Sequence, residues 1–173
     1  MKILCTGSPI YHGIARSVNE WFIDVDFVSR TTGFDLTTED GMSKLKSIIS
    51  NYDVIINNAY VAPGVQRKIL NLTDETKFNG HVFSIGSVVE WEKLRHLSPD
   101  YSLEKSELRD RSFELMSPSL KTTHITVSGF HDKRPETSNK MNAIEIVKAI
   151  QWVLDCKYAV PCISVVEFMK PEN

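Results

Sequence analysis

The N-terminal segment constrains the fold more than any other part of the chain. A strand-like run over residues 1–6 ends at Gly7, and residues that favour a helix resume after Gly13. Gly7 can adopt a backbone conformation that a Cβ disfavours, and Gly13 permits close approach to the first helical turn. A helix N-terminus presents unpaired N–H groups and a positive dipole end, so it suits an anion. The Gly-x5-Gly spacing differs from the common G-x-G-x-x-G, and a simple strand-to-helix connection remains an equal alternative.

The rest of the chain repeats the alternation of strands and helices. The pattern predicts further strands at 24–29, 34–36, 53–57, 82–85, 124–129 and 160–166, and helices at about 14–21, 37–49, 65–72, 102–117 and 142–154. The strand at 53–57 is β-branched without polar alternation, which is typical of a central parallel strand. We therefore predict a single α/β domain over residues 1–173, with a doubly wound parallel sheet of about seven strands in a three-layer sandwich.

Composition limits the classes of function. The 173 residues carry a formal net charge of -2 with both signs mixed, so nothing indicates nucleic-acid or membrane binding. Cys5, Cys156 and Cys162 form no disulfide framework, and no leader or apolar span is visible, so a reducing, cytoplasmic location is expected. The five histidines lack ligand spacing, and we predict no metal.

Ligands of such sheets bind beyond the carboxyl ends of the strands, where the strand order reverses. Polar or glycine residues follow three of the predicted strands there: Gly7 to Gly13, the Asn57–Tyr60 segment, and Ser87. Tyr101 and Lys105 are four positions apart on a predicted helix, so their side chains share one face. A nearby ammonium favours the phenolate and lowers the pKa of a tyrosine from about 10. In isolation, a surface contact is the commoner role of such a pair, and a serine like Ser87 commonly caps a turn.

These motifs occur in the order in which short-chain dehydrogenase/reductases carry them, and the chain resembles that family over nearly its whole length. The family has a glycine-rich turn after its first strand, an acidic residue after the third, Asn-Asn-Ala-Gly after the fourth, a serine after the fifth, and Tyr-x-x-x-Lys on the next helix. Here the counterparts are Thr6-Gly7 with Gly13, Asp35, Asn57-Asn58-Ala59-Tyr60, Ser87, and Tyr101 with Lys105. The resemblance implies a Rossmann-type NAD(P)-binding domain.

The resemblance also implies catalytic roles. Tyr101 would be the general acid that protonates a carbonyl oxygen, Ser87 would hydrogen-bond that oxygen, and Lys105 would lower the pKa of the tyrosine and hold the nicotinamide ribose. The implied function is an NADP(H)-dependent oxidoreductase that reduces a small carbonyl or oxidises an alcohol. The alternative is a non-catalytic NADP(H)-binding sensor on the same fold.

Cofactor contacts follow from the same resemblance. Ser29 and Arg30 end the second predicted strand where relatives that prefer NAD place a carboxylate, and His12 lies where members that prefer NADP often carry a basic residue, so NADP(H) is favoured over NAD(H). The implied cofactor-binding residues are Gly7, Ser8, His12, Gly13, Ile14, Ser29, Arg30, Asp35, Leu36, Asn58, Ala59, Tyr60 and Lys105.

Some features depart from the family pattern. The first turn is two residues longer than usual and resembles that of divergent enoyl reductases, and Tyr60 replaces the glycine of Asn-Asn-Ala-Gly. Asn71 is the nearest counterpart of the family's catalytic asparagine, and we leave it outside the predicted site. Relatives commonly pair through the helix that bears the tyrosine, so a homo-oligomer formed through the helix of Tyr101 and Lys105 is expected. The substrate is expected to be a small molecule.

Overall fold

The computed structural model describes residues 1–10, 13–91, 94, 96, 98–128 and 142–166. Within these ranges one sheet contains six parallel strands in the order β2-β1-β3-β4-β5-β6. The strands are β1 Ile3–Thr6, β2 Val25–Val28, β3 Val54–Asn57, β4 Gly80–Ile85, β5 Leu120–Val127 and β6 Cys162–Val165. The prediction of a doubly wound parallel α/β sheet is confirmed, with six strands in place of about seven.

Five α-helices of the described ranges cover both faces of the sheet. They are α1 Ile14–Trp21, α2 Glu39–Ile48, α3 Val65–Glu75, α4 Pro99–Leu115 and α5 Ala143–Asp155. One apolar core lies between α1, α5 and the sheet, and a second lies on the other face beneath α2, α3 and α4. Alternate residues of the central strands supply the two cores, for example Ile56 to the first and Ile55 to the second. None of these helices is long and apolar enough to cross a membrane.

The third predicted strand, at residues 34–36, is wrong. Asp35 Oδ1 accepts hydrogen bonds from the backbone N–H of Thr37 at 3.0 Å and from its hydroxyl at 2.6 Å, which forms a local turn. Thr38 then caps α2 by accepting from the N–H of Gly41 at 3.1 Å. Aspartate and threonine side chains that bond to nearby backbone groups compete with a strand ladder. The segment therefore leads into a helix and leaves β2 at the sheet edge.

The spacing of Leu103, Leu108, Phe113, Leu115 and Met116 predicts an apolar face for α4, and this prediction is wrong in part. Leu108 and Leu115 are buried, but Leu103 and Phe113 are 61% and 40% exposed. Polar side chains occupy much of the buried face instead, namely Ser102, Lys105, Ser106 and Ser112. The exposed Leu103 and Phe113 are compatible with pairing through α4, which stays a prediction.

The topology brings three loops to one rim of the sheet. The strand order reverses between β1 and β3, because the chain places β2 on one side of β1 and all later strands on the other. The loops after β1, β3 and β4 are therefore neighbours at the carboxyl ends of adjacent strands. Such a switch point forms a crevice that binds ligands in doubly wound folds.

Candidate active site

The loop after β1 has the geometry of an anion-binding turn. Gly7 has a φ of 120°, and a Cβ added there would lie 3.1 Å from Asn58 Nδ2, so only glycine fits without strain. Helix α1 begins at Ile14, and Gly13 at its N-cap offers no side-chain oxygen to the first turn. The N–H groups of that first turn therefore have no intrahelical acceptor. His12, which was predicted to contact the cofactor, lies outside the described residues.

Thr6 ties this loop to the loop after β3. Its hydroxyl oxygen accepts from the backbone N–H groups of Asn58 and Ala59, each at 2.9 Å, and its carbonyl accepts from Asn58 Nδ2 at 3.2 Å. Thr6 is fully buried. Thr6 was predicted only to be part of the glycine-rich turn, although a polar residue that ends an otherwise apolar strand is a visible signal. Asn58 and Ala59 consequently line the rim as expected, beside Gly7.

A groove of about 170 Å³ extends from this rim along the end of β2. Arg30 is exposed at its edge, and the Ser29 hydroxyl lies 2.7 Å from that of Thr31. The pKa of Asp35 is lowered by the two hydrogen bonds from Thr37 and, to a smaller extent, by the Arg30 guanidinium. The groove brings together most of the residues predicted to contact the cofactor, since its lining includes Gly7, Ser8, Ser29, Arg30, Asp35, Leu36 and Ala59.

The three predicted catalytic residues meet at the next part of the rim. Ser87 follows β4, and its hydroxyl lies close enough to the phenol of Tyr101, in the first turn of α4, to lower the pKa of that phenol. Lys105 lies one turn further along α4, and its Nζ is 5.3 Å from the centre of the Tyr101 ring. The hydroxyls of Ser87 and Tyr101 can therefore bind one oxygen atom together, with a cation behind the phenol. The structure places these groups together, and their catalytic roles stay predictions.

Burial changes the pKa values of Tyr101 and Lys105. Burial raises the pKa of Tyr101 above its ordinary value. The nearby Ser87 hydroxyl opposes this rise, and the carboxylates of Glu104 and Glu90 add to it. Burial lowers the pKa of Lys105 to about 8, against the opposing effect of the same two carboxylates. The expected lowering of the pKa of Tyr101 by Lys105 is not seen. The reason is geometric, because the ammonium points toward acceptors other than the phenol oxygen.

Those acceptors reveal a residue that the sequence analysis missed. Lys105 Nζ donates to the carbonyl of Ile85 at 2.9 Å and to Gln66 Oε1. The amide of Gln66 in turn donates to the carbonyls of Asn57 at 2.8 Å and Ile85 at 3.2 Å. Gln66 thus links β3, β4 and α4 around the lysine. The signal was available, since Gln66 shares the buried face of α3 with Ile69, Leu70 and Thr73 at helical spacing.

Asn71, by contrast, lies away from the rim on α3. Its Oδ1 accepts from Nε of Arg111 at 2.9 Å, and the guanidinium also contacts Asp74. This arrangement is consistent with leaving Asn71 outside the predicted site. Gln66, on the first turn of the same helix, is the amide that contacts Lys105.

Tyr60 packs on Tyr101 and Lys105 and does not line the groove along β2. Its ring meets that of Tyr101 edge to face with the centres 4.9 Å apart, and Lys105 Nζ lies 5.2 Å from its centre. Its hydroxyl donates to Glu104 Oε2 at 3.0 Å, while Glu104 Oε1 accepts from the N–H of Gly64 at 2.6 Å. Burial and the Glu104 carboxylate raise the pKa of Tyr60 to about 12. Tyr60 therefore stays a neutral phenol that covers Lys105, which is only 2% exposed.

Comparison with solved structures places this fold among the short-chain dehydrogenases. A 3-alpha-hydroxysteroid dehydrogenase from a Pseudomonas species, in complex with NADH, gives a TM-score of 0.72 at 12% identity over 96% of this chain and 95% of that chain. The glucose dehydrogenase of Caenorhabditis elegans in its apo form gives 0.71 at 16% identity over 95% of each chain. A short-chain dehydrogenase from Burkholderia cenocepacia, in complex with NADP, gives 0.70 at 12% identity over 98% and 90%.

The likeness lies in the structure and not in the sequence. No protein-family model matches the sequence, and no curated protein matches it significantly. At 12–16% identity these structures show a shared fold, the short-chain dehydrogenase type of the Rossmann fold.

Proposed function

We propose that the protein is an NADP(H)-dependent oxidoreductase of the short-chain dehydrogenase/reductase type that reduces a small carbonyl compound or oxidises the corresponding alcohol. The observation that carries the proposal is the meeting of the Ser87 and Tyr101 hydroxyls, with Lys105 behind them, at the rim where β1, β3 and β4 end. A binding protein without chemistry has no use for a buried phenol beside a second hydroxyl and a cation.

The residues present fit a nicotinamide dinucleotide. The first turn of α1 offers backbone N–H groups without a side-chain cap, which suits a pyrophosphate, and Gly7 leaves space for close approach. The groove along the end of β2 suits an adenosine moiety, with Asp35 and Leu36 in its wall. Lys105 and the rim around Asn58 would hold the nicotinamide ribose. When bound, the cofactor supplies the hydride of the reaction.

The chain's own residues supply the proton and the orientation. Because burial raises the pKa of Tyr101, its phenol is protonated at neutral pH and can donate a proton to a carbonyl oxygen. Ser87 donates a second hydrogen bond to that oxygen and fixes its position beside the phenol. The ammonium of Lys105 holds Gln66 and the end of β4 in place beside the phenol, since it donates to Gln66 Oε1 and to the Ile85 carbonyl.

The preference for NADP(H) rests on Arg30. Its guanidinium is exposed at the groove edge, close enough to Asp35 to lower the pKa of that carboxyl, and the hydroxyls of Ser29 and Thr31 lie beside it. A guanidinium with neighbouring hydroxyls suits a 2′-phosphate, because it can form bidentate charged hydrogen bonds.

Fluorescence titration with NADPH and NADH tests this preference. We expect Arg30→Ala to weaken NADPH binding about tenfold, which corresponds to about 1.4 kcal/mol, and to leave NADH binding unchanged. The matched control is Arg67→Ala, since Arg67 is an exposed arginine of α3 that pairs with Glu107 outside the groove. Equal loss for both cofactors, or no loss for NADPH, would remove Arg30 from the specificity argument.

A further inference from the structure

A buried polar cluster that the sequence analysis did not anticipate lies beneath the catalytic rim. Glu90 is 1% exposed, and its partners His124 and Thr126 on β5 are equally buried. His124 Nε2 lies 3.0 Å from both carboxylate oxygens of Glu90, and the hydroxyl of Thr126 donates to Glu90 Oε1 at 2.5 Å. Since a carboxylate only accepts, Nε2 of His124 carries the proton.

The backbone is shaped around this cluster. Gly86 passes directly over the imidazole, because a Cβ at that position would lie 2.1 Å from Nε2 of His124. Gly86 also donates from its N–H to the carbonyl of Ile125 at 2.8 Å, which holds the end of β4 against β5. Any larger residue at position 86 would displace the histidine from the carboxylate.

Glu90 belongs to the turn that carries Ser87. The N–H of Glu90 donates to the carbonyl of Ser87 at 3.1 Å, and residues 88–90 form one turn of 3-10 helix. The carbonyl of Val89 in this turn accepts from the hydroxyl of Ser102 at 2.7 Å. Ser102 is the neighbour of Tyr101 in the first turn of α4. A continuous set of contacts thus joins β5, Glu90, the Ser87 turn and the start of α4.

Stability alone gives no reason to keep this arrangement. Removing a carboxylate from water costs several kcal/mol, and apolar groups of similar volume often do as well or better in such positions. Anchoring a functional turn is a role that an apolar side chain cannot perform, because packing lacks the direction of hydrogen bonds.

We propose, resting on the function proposed above, that Glu90 is a positioning residue: held by His124 and Thr126, it fixes the turn of Ser87 against the start of α4 and places a negative charge behind Tyr101 and Lys105. The two hydroxyls that bind the substrate oxygen are thereby held at a fixed separation by one buried anchor.

The charge of Glu90 affects the ionisation of Tyr101, and a purely structural role of Glu90 would not. Among the described residues, the charged or titratable groups that the carboxylate influences include His124 on β5, Tyr101 and Lys105 on α4, and Cys162 on β6. The carboxylate contributes to raising the pKa of Tyr101, after burial and together with Glu104. Removing only its charge must therefore lower the pH at which Tyr101 ionises.

Two substitutions separate the hydrogen bonds from the charge. Glu90→Gln keeps an oxygen for Thr126, and His124 can bond the new amide as its other tautomer, so kcat at the optimum stays within about threefold of the original. We expect the pH profile of kcat to move to lower pH. Glu90→Leu loses both bonds, and we expect kcat to fall at least about tenfold while the Kd for NADPH is unchanged.

A direct titration keeps this test independent of turnover. The tyrosinate absorption of Tyr101, obtained by difference against Tyr101→Phe, should shift in Glu90→Gln by the same amount as the activity profile. Glu114→Gln is the control, because Glu114 is an exposed carboxylate further along α4 that contacts Arg111, and it should shift neither. If Glu90→Leu does not fold, Thr126→Val removes one bond and should lower kcat without moving the titration of Tyr101.

Two results would overturn the proposal: an unshifted Tyr101 titration in Glu90→Gln, or folded Glu90→Leu with the original kcat. If the unmodified protein turns over no carbonyl substrate, the proposed function fails, while the titration of Tyr101 still decides whether Glu90 acts on the phenol.

Discussion

Lys105 is a buried cation of the candidate site, and burial and nearby carboxylates act on its pKa in opposite directions. Its ammonium is almost fully buried and donates to Gln66 and to the Ile85 carbonyl, while the rings of Tyr60 and Tyr101 lie above it. Burial lowers the pKa of this lysine to about 8. The side chain is therefore a cation at neutral pH, and it loses its proton as the pH rises through about 8.

Cofactor binding should follow this ionisation. We expect the affinity for NADPH to fall as the pH rises through about 8, because the charge that holds the ribose and favours the bound anion is lost. In Lys105→Met the affinity should be about tenfold weaker at pH 7 and should show no transition near that pH. Lys46→Met, which removes an exposed lysine paired with Glu75, is the control for surface charge. If the transition in NADPH affinity near pH 8 persists in Lys105→Met, a group other than Lys105 causes it.

At the scale of elements, the neighbouring strands β4 and β5 carry polar residues inside the sheet layers. The ring of His81 stacks on that of Phe83 with the centres 4.2 Å apart, and its Nε2 lies 2.8 Å from the hydroxyl oxygen of Thr123. That hydroxyl donates to the carbonyl of Val160 at 2.6 Å, so the histidine must donate to it. Burial, with a contribution from Lys121, lowers the pKa of His81 to about 4.

The low pKa of His81 should make the free energy of unfolding decrease in acid. Between pH 6.5 and pH 4 the unfolded chain binds a proton at His81 that the folded chain does not, so the free energy of unfolding decreases as the pH falls through this window. Allowing for partial exposure of the ring, the loss is about 1–2 kcal/mol. In His81→Phe, which keeps the stacking, this part of the loss should disappear in urea unfolding at several pH values. His96→Gln, at an exposed histidine, is the control. An unchanged loss in His81→Phe would exclude His81 as its source.

The elements also show what could be predicted from the sequence. Strands β1 and β3 were predictable, because their apolar runs are buried on both faces of the sheet. Residues 34–36 were not, since the side chain of Asp35 forms a local turn whose hydrogen bonds no hydrophobic pattern reveals. The face of α4 was misread because polar side chains occupy its buried side to serve the site.

At the scale of the whole molecule, the candidate site is assembled from loops that the order of the strands brings together. The order of motifs along the chain predicted that Ser87, Tyr101 and the loops after β1 and β3 would meet, and they do. The partners of these residues were harder to predict. Gln66 was visible only as a polar residue on a buried helix face, and Glu90 reaches the site through contacts between residues far apart in sequence. Such contacts depend on packing angles that no local pattern contains.

The proposed reaction depends most on the phenol of Tyr101, which is the proton donor. Its most direct test is the rate of NADPH oxidation over a panel of aldehydes and ketones, measured for the unmodified protein and for Tyr101→Phe at saturating cofactor. We predict turnover by the unmodified protein and a loss of at least about a hundredfold in kcat for the variant, with the Kd for NADPH unchanged. Tight NADPH binding without any turnover by the unmodified protein, or full activity of Tyr101→Phe, would contradict the account, and the first result would indicate an NADP(H) sensor.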